Sequence, residues 1–257
     1  MSTLTVDSLN FAYGKRQVLN EASFSALKPG QMTALIGPNA AGKSTLFRLI
    51  SGLLKASSGQ VRLGETDLAI VPDQKRLKRV CFMPQFFAAN AALTVFDVVM
   101  MAHKQLHGWR VLDQDIQAVA KTLEIAGIGH LAEAYVSDLS GGQSQMVSVA
   151  QALIRESDVY LFDEPTSALD LRHQLEVLQR IRGAMAERNT IGIVALHDLN
   201  LAARFADHLI LLGEGRVLAE GAPAEVLGLE VLAQTYGVEV EVFNGPREDL
   251  LVHAYTS

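Results

Sequence analysis

Residues 32–50 constrain the fold of this chain more than any other stretch of it. They begin with the largely apolar segment MTALI, continue as GPNAAGKS at positions 37–44, and end in the helical pattern TLFRLI. The middle segment matches G-x-x-x-x-G-K-[ST] in full, a pattern whose proper context is a buried strand before it and a helix after it. The sequence therefore predicts a strand, a phosphate-binding loop and a helix, in that order.

The residue types in this loop suit the binding of a nucleoside triphosphate. Gly37 and Gly42 permit a tight backbone path whose N–H groups converge on phosphate oxygens at the positive end of the following helix. Lys43 is expected to reach the β- and γ-phosphates, and Ser44 to offer its hydroxyl to Mg²⁺. An ordinary glycine-containing turn is the alternative, which the complete pattern with both flanks disfavours. The predicted nucleotide-binding residues of this stretch are Gly37, Pro38, Asn39, Ala40, Ala41, Gly42, Lys43, Ser44 and Thr45.

A second stretch, VYLFDE at positions 159–164, is an apolar strand pattern that ends in two adjacent carboxylates. In a phosphate-loop fold, an aspartate at the end of a strand holds Mg²⁺ against the phosphates, directly or through water, and Asp163 fits that role. Glu164 could accept a proton from, or orient, the water that attacks the γ-phosphorus. The alternative is an acidic pair on the surface, which is less favoured beside an intact phosphate loop.

A third stretch, LSGGQ at positions 139–143, directly precedes a helical pattern. Ser140 can cap that helix, and Gly141 and Gly142 would let an anion approach the exposed N–H groups. Alone, such a segment would most often be a flexible turn. Its order relative to the other two motifs makes it specific.

Composition and charge limit the classes of partner. The chain has 257 residues and a net charge of −6, and an acidic balance argues against nucleic acid as the main partner. Cys81 is its only cysteine, so no intrachain disulfide can form, and we expect it to lie buried in a strand. No segment approaches about 18 uninterrupted apolar residues and no signal peptide is evident. Any link to a membrane is therefore expected to come through a partner.

The pattern of elements predicts an α/β fold: a phosphate-loop core with a mainly parallel sheet, N-terminal antiparallel strands and an inserted α-helical subdomain. Strand patterns alternate with helical ones and are apolar on both faces, which is typical of a parallel sheet covered on both sides. We expect a single domain over residues 1–257, with the helical subdomain at about 87–155 and a C-terminal extension at about 220–257.

With these motifs, the chain resembles the ATP-binding cassette (ABC) ATPases over almost its full length. Beyond the three stretches above, the resemblance is carried by Tyr13, Gln85, His197 and SALD at positions 167–170. It implies that Tyr13 stacks on adenine, that Gln85 contacts Mg²⁺ or the attacking water, and that His197 holds the γ-phosphate. The implied catalytic residues are Glu164, His197 and Gln85, and the implied Mg²⁺ ligands are Ser44, Gln85 and Asp163.

The resemblance also implies a homodimer in the ATP-bound state. In that arrangement, Ser140, Gly141, Gly142 and Gln143 of one subunit face the ATP that the other subunit's phosphate loop holds. Asp170 is implied to help join the two subunits. A sandwich of this kind has two-fold symmetry, so each interface patch is used twice.

Several phrases look like those of ATPase subunits of bacterial importers for metal chelates such as siderophores, haem or cobalamin. They are LTVFDVV at 93–99, LHDLNLAAR at 196–204, GAPAEVL at 221–227 and YGVEV at 236–240. By this resemblance the protein is peripheral, on the cytoplasmic side of the bacterial inner membrane. Its implied partners are integral membrane permease subunits, with an external substrate-binding protein acting through them. The alternatives are the ATPase of an exporter or of another importer branch, and a soluble ABC-type ATPase acting on nucleic acid or ribosomes.

The chain departs from the family pattern at a few positions. Ala40 stands where family members commonly have glycine, which puts a methyl group near the phosphates. We call LSGGQ at 139–143 the signature. The helix after it is unusually uncharged, because Ser144, Met146 and Gln151 replace residues that are usually basic in the family. His103 and His107 have i, i+4 spacing, and a solvated helix face is a better interpretation of them than a metal site.

Overall fold

Two sheets and a group of helices surround the phosphate loop in the computed structural model, which describes residues 2–85, 92–108, 110–167, 169–246 and 249–256. The strands are β1 (Leu4–Tyr13), β2 (Arg16–Leu27), β3 (Met32–Ile36), β4 (Ser58–Leu63), β5 (Thr66–Asp67), β6 (Val80–Met83), β7 (Val159–Asp163), β8 (Ile191–Ala195), β9 (His208–Gly213), β10 (Arg216–Gly221), β11 (Glu239–Asn244) and β12 (Leu250–Tyr255). The helices are α1 (Lys43–Ser51), α2 (Asp73–Arg79), α3 (Val95–His107), α4 (Asp113–Ile125), α5 (Gly141–Leu153), α6 (Leu171–Arg188), α7 (Leu199–Phe205), α8 (Pro223–Leu227) and α9 (Glu230–Tyr236). Short 3₁₀ turns lie at Leu68–Ile70, Gly129–Leu131 and Val136–Asp138.

The larger sheet has the strand order β10-β9-β3-β8-β7-β6, and all its neighbours are parallel except β10 and β9. Strands β3, β7 and β8 are buried at every position, because one face packs on helices and the other on α1 and the smaller sheet. The register sets Ala195 opposite both Leu35 and Asp163. The carboxyl ends of these strands therefore meet at one edge of the sheet.

The smaller sheet is antiparallel, with the order β2-β1-β4-β5. Buried apolar side chains of β1 and β2, such as Leu4 and Leu19, pack in the same cluster as Phe47 of α1. The fold prediction is confirmed by both sheets, since the core is mainly parallel and the N-terminal strands are antiparallel. Cys81 lies buried in β6, as expected, and burial raises the pKa of its thiol to about 11.

Helices α3, α4 and α5 occupy the part of the chain where a helical subdomain was predicted, and the predicted start near residue 87 lies outside the described residues. Thr94 begins α3 with a capping box. Its side-chain oxygen accepts the Asp97 N–H at 3.1 Å, and Asp97 accepts the Thr94 N–H at 3.0 Å.

The interpretation of His103 as part of a solvated face is wrong. Its ring is only 11% exposed and lies 2.9 Å from a carboxylate oxygen of Asp115 on α4. The other oxygen of that carboxylate accepts a hydrogen bond from Lys104 at 2.8 Å. Sequence spacing could not show this contact, because it joins two helices. The side chain of His107 lies outside the described part of the chain.

Five strands and helices were not predicted: α2, α9, β5, β11 and β12. A signal for β11 was present, because EVEVF at 239–243 alternates as a half-buried strand does. Val240, Val242 and Val252 of the resulting hairpin pack against the same core cluster as Leu201. Among the described residues, no helix is long and apolar enough to cross a membrane.

Candidate functional site

The phosphate loop is held in a tight conformation between β3 and α1. Gly37 has φ +148°, and a Cβ there would lie 2.1 Å from the carbonyl oxygen of Leu212. Only glycine fits this position, since any side chain would push the loop away from β9. The ammonium of Lys43 folds back over the loop, donating to the carbonyls of Gly37 at 2.6 Å and Pro38 at 3.1 Å.

Lys43 is buried, and no carboxylate of the described residues lies in hydrogen-bond contact with it. Burial lowers the pKa of its ammonium, and the negative charges of Glu164 and Asp163 oppose that shift. A buried cation that is bonded only to carbonyls is incompletely compensated. The loop therefore presents a site where an anion would be favoured.

Ala40 lies at the outer turn of the loop in the left-handed region, at φ +63°. A residue with a side chain is strained there, with a cost of about 1 kcal/mol relative to glycine. The Ala40 methyl group, which was expected near the phosphates, is thus accommodated at the cost of local backbone strain. It lines the same cavity as Lys43 and Ser44.

Ser44 and Asp163 form the candidate Mg²⁺ site. The Ser44 hydroxyl donates to the Asp163 carboxylate at 3.1 Å, so the two oxygens already lie side by side. Burial raises the pKa of Asp163 against the effects of Ser44, Arg48 and Lys43. Hard oxygen ligands and a buried carboxylate fit Mg²⁺, which is usually held by one or two carboxylates together with substrate phosphates. Within the described ranges, no group of three or more His, Cys, Asp or Glu side chains is placed to hold a metal ion. A Mg²⁺ ion at Ser44 and Asp163 would therefore need the substrate phosphates as further ligands.

The carboxylate of Glu164 connects two other predicted residues. Gln85 at the end of β6 donates to one of its oxygens at 2.6 Å, and the ring of His197 after β8 contacts the other. Glu164 itself has φ +52°. Ser167 supports this turn, because its N–H and its hydroxyl both donate to the Glu164 carbonyl, at 3.1 Å and 3.0 Å. Strained backbone of this kind is common where a side chain must be aimed for function.

A cavity of about 450 Å³ extends from the phosphate loop toward β1 and β2. Tyr13 lies on its wall with 45% of its surface exposed and its ring edge-on to Phe11 at 4.8 Å between centroids. An exposed aromatic ring at this place suits stacking on a base. The sequence did not identify Arg16 and Val18, which also line the cavity, because they belong to an unremarkable strand pattern.

The signature residues do not line this cavity. Ser140 and Gln143 form a capping box at the start of α5: the Ser140 N–H donates to the Gln143 amide oxygen at 2.9 Å, and the Gln143 N–H to the Ser140 hydroxyl at 3.3 Å. Ser140 and Gly141 are exposed to solvent. The first turn of α5 therefore presents N–H groups outward rather than toward its own phosphate loop.

Two of the three uncharged positions named in α5 have a structural explanation. Met146 is buried in the core, and the Gln151 amide donates to the Val98 carbonyl of α3 at 3.3 Å.

Asp170 caps α6 by accepting the His173 N–H at 2.9 Å, and this bond together with the His173 ring lowers the pKa of Asp170. Ala168, beside it in the SALD segment, lies outside the described residues.

Two further residues near the site were missed by sequence reasoning. The hydroxyl of Tyr236 accepts the Gly37 N–H at 2.8 Å, and the side chain of Asn200 bonds to the backbone of Val252. Both residues stand in phrases that sequence reasoning used only to classify the chain. No signal in the sequence could have joined Tyr236 to a loop almost two hundred residues earlier.

Comparison with known proteins gives consistent results. The family described as ABC transporter matches residues 19–167. The iron(3+)-hydroxamate import ATP-binding protein FhuC of Bacillus subtilis is 35% identical, over 96% of this chain and 92% of that protein. The hemin import ATP-binding protein HmuV of Pseudomonas entomophila is 39% identical, over 93% and 94%. A solved structure assigned to an inward-facing metal-chelate type ABC transporter has a TM-score of 0.84 and 27% identity, over 99% of this chain and 97% of that one.

Proposed function

The chain belongs to the ATP-binding proteins of ABC transporters, and on that premise we propose that it powers the import of a metal chelate, most simply an iron-siderophore complex or haem. The observation that carries the proposal is its similarity, over more than nine-tenths of its length, to the iron-hydroxamate and hemin import ATP-binding proteins. As a member of this family it is an ATPase coupled to transport. The cargo itself would not touch this chain.

ATP would bind with its phosphates on the loop and its base beside Tyr13. Lys43 would exchange its carbonyl partners for phosphate oxygens, which compensate a buried cation better than neutral groups do. Mg²⁺, when bound, would neutralise developing charge on the phosphates, with Ser44 and Asp163 to hold it. The described geometry supports these roles, since Ser44 lines the cavity and its hydroxyl donates to the Asp163 carboxylate.

Glu164 would act as the general base. A water molecule attacks the γ-phosphorus, its proton passes to the Glu164 carboxylate, and the bond to ADP breaks. Both carboxylate oxygens of Glu164 have a side-chain partner, Gln85 for one and His197 for the other. The attacking water would take the place of one of these partners at the carboxylate.

A second copy of the chain would complete the site. The signature residues Ser140 and Gly141 are exposed and lie outside the cavity of their own subunit. A head-to-tail dimer would bring them to the γ-phosphate held by the partner subunit. ATP would then join the subunits and hydrolysis would release them, which is the motion that drives a permease.

A groove of about 260 Å³ is the place where a permease segment would dock. It lies between the end of β6 and helices α3 and α5, and Met101, 40% exposed, stands on its rim. Pro84, which also lines the groove, directly precedes Gln85 in the chain. A membrane partner seated here could therefore sense Gln85, and the protein would lie at the cytoplasmic face of the membrane, with an external binding protein delivering the chelate.

Co-purification tests this proposal. The tagged protein would be recovered from membranes of its own organism, its integral partner identified by mass spectrometry, and the pair reconstituted in vesicles with ferric hydroxamate or haem. We expect a permease partner, and ATPase activity that rises with one of these chelates. Met101→Arg should abolish recovery of the partner, whereas Ile70→Arg, at an exposed residue outside the groove, should not.

Two results would count against the proposal in different ways. If no membrane protein is recovered, a soluble ABC-type ATPase becomes the better description. If a permease is recovered but other cargo alone stimulates hydrolysis, the protein serves an exporter or another importer branch.

A further inference from the structure

The C-terminal segment, which we define as α9 with the β11–β12 hairpin, touches the nucleotide site at two points. At the first, the hydroxyl of Tyr236 accepts the N–H of Gly37 at 2.8 Å. At the second, the Asn200 amide donates to the Val252 carbonyl at 3.1 Å, and the Val252 N–H donates to the Asn200 oxygen at 2.8 Å. A segment outside the nucleotide cavity thus contacts both the phosphate loop and the helix that follows His197.

The first contact fixes the N–H side of Gly37, and the carbonyl of the same residue holds Lys43. Gly37 is buried, and its N–H and its carbonyl are both engaged, by the Tyr236 hydroxyl and the Lys43 ammonium. The Leu212 backbone closes off its third side. A buried N–H that loses its acceptor is costly, so without the hydroxyl the Ile36–Gly37 peptide would tilt toward another partner. That tilt rotates the backbone at Gly37 and would shift the next peptide, whose carbonyl accepts the hydrogen bond from Lys43.

Tyr236 is itself held firmly. Leu232, one turn earlier on α9, is fully buried in the core. Gly237 ends the helix directly after Tyr236, with φ +67° and its N–H on the carbonyls of Ala233 and Gln234. Burial raises the pKa of the phenol to about 12. The group therefore stays neutral at physiological pH and keeps an oxygen available to the Gly37 N–H.

The second contact braces the element that carries His197. Asp198 caps α7 by accepting the N–H groups of Asn200 and Leu201, so the loop after β8 and the start of α7 move together. The paired bonds between Asn200 and Val252 resemble those of a sheet edge, with the side-chain amide in place of a second strand. They tie this start of α7 to β12.

We propose that the C-terminal segment positions the nucleotide site, with Tyr236 as a positioning residue for the phosphate loop and Asn200 as a positioning residue for the His197 loop. The inference rests on ATP binding at this loop, as proposed above. It gives a physical role to the phrases YGVEV and LHDLN, which the resemblance used only to classify the chain.

The test compares single-hydroxyl deletions in one segment. Tyr236→Phe removes the acceptor of Gly37, while Tyr255→Phe, the matched control, removes a hydroxyl that donates to Glu241 at 2.8 Å on the exposed hairpin face. We expect Tyr236→Phe to raise the Kd and the KM for ATP about fivefold, the effect of one hydrogen bond, with kcat within about twofold of wild type. Tyr255→Phe should change neither.

Asn200→Leu removes the second contact and should affect kcat rather than the KM for ATP. We expect kcat to fall about fivefold, because His197 is no longer held, while the KM for ATP stays within about twofold. Hydrogen exchange supplies a measurement that does not need activity. The Gly37 amide should exchange faster in Tyr236→Phe than in wild type, while amides of α6 keep their protection.

The outcomes separate this inference from the proposed function. If wild type and Tyr255→Phe bind ATP and Tyr236→Phe binds it equally well, the positioning role is wrong and the ATPase assignment stands. Equal losses in both phenylalanine variants, or a loss that only follows the melting temperature, would also overturn it. Failure of the wild-type protein to bind ATP would instead overturn the proposed function.

Discussion

The nucleotide site and the helical region each bury one lysine and one aspartate, and to the same degree. Lys43 is 5% exposed and Asp163 4%, and Lys104 and Asp115 are each 4% exposed. In the helical region the two groups meet directly at 2.8 Å, and hydrogen bonds from Lys104 and the Leu112 N–H lower the pKa of Asp115 to about 2. In the nucleotide site the two groups bond to other partners, Lys43 to backbone carbonyls and Asp163 to the Ser44 hydroxyl, and burial shifts both pKa values toward the neutral forms.

The difference shows what distinguishes a structural charge pair from a binding site. Burial alone disfavours a charge, and a direct partner offsets that cost. The helical region supplies the partner from within the fold, so its charges stabilise the packing of α3 on α4. The nucleotide site leaves its charges to be completed from outside, which is the arrangement that a Mg²⁺–triphosphate complex requires.

The largest effect is expected for Glu164→Gln, which replaces the proton-accepting carboxylate with an amide of the same size. Removing the general base should lower kcat by about 10²- to 10⁴-fold, while Lys43, Ser44 and Asp163 keep ATP bound. The variant should therefore accumulate as an ATP-bound dimer in size-exclusion chromatography. Hydrolysis at the wild-type rate would show that Glu164 is not the base.

Lys43→Met tests the nucleotide site, where the buried lysine bonds to backbone carbonyls rather than to a carboxylate. Loss of charged hydrogen bonds to phosphate should weaken ATP binding by about 10- to 100-fold in a calorimetric titration. Because burial lowers the pKa of Lys43, its charge opposes folding. We expect the melting temperature without nucleotide to stay the same or rise, and a clear fall would place Lys43 among the structural charges.

Lys104→Met should have the reverse profile. It leaves the Asp115 carboxylate buried without its ammonium partner, which is destabilising, and the melting temperature should fall by several degrees. ATP affinity should not change, because Lys104 lies outside the nucleotide cavity. Lys121→Met, an exposed lysine on α4, is the matched control and should leave both values unaltered.

Acid should weaken the paired region selectively. The folded pKa of Asp115, about 2, lies below its ordinary value of 3.8. Its contribution to stability is therefore complete above about pH 4 and is lost as the pH falls toward 2. Denaturation of wild type and of Asp115→Asn should differ at neutral pH and converge over that interval. A constant difference would mean that the carboxylate is not held as an ion.

Ala40→Gly should have the smallest effect. Relief of the left-handed strain gives about 1–2 kcal/mol, and the extra freedom of glycine in the unfolded chain takes back about 0.5–1 kcal/mol. We expect a net gain of up to about 1.5 kcal/mol in the free energy of unfolding. Ala41 is a buried neighbour whose φ is not positive. The substitution Ala41→Gly should therefore lower stability instead. A loss in both would show that Ala40 is not strained.

Local sequence determined the pieces of the site. The loop at 37–44, the carboxylates at 163–164 and the capping box at 140–143 each depend on residues that are neighbours in the chain, and so did the strands and helices that flank them. The parallel sheet then followed from alternation of apolar strands and helices. Gln85 and His197 were expected at the site only by the resemblance to the ABC ATPases, and the structure brings them together on the Glu164 carboxylate at the shared carboxyl edge of the sheet.

Only the tertiary structure decided how distant residues use each other. It placed Tyr236 on Gly37 and Val252 on Asn200, and it turned His103 from solvent to Asp115. A single hydrogen bond between distant residues leaves no periodicity or spacing in the sequence, because its geometry arises only after the core has packed. The sequence therefore determined which chemistry this protein carries, and the packing of its C-terminal segment decided what holds that chemistry in place.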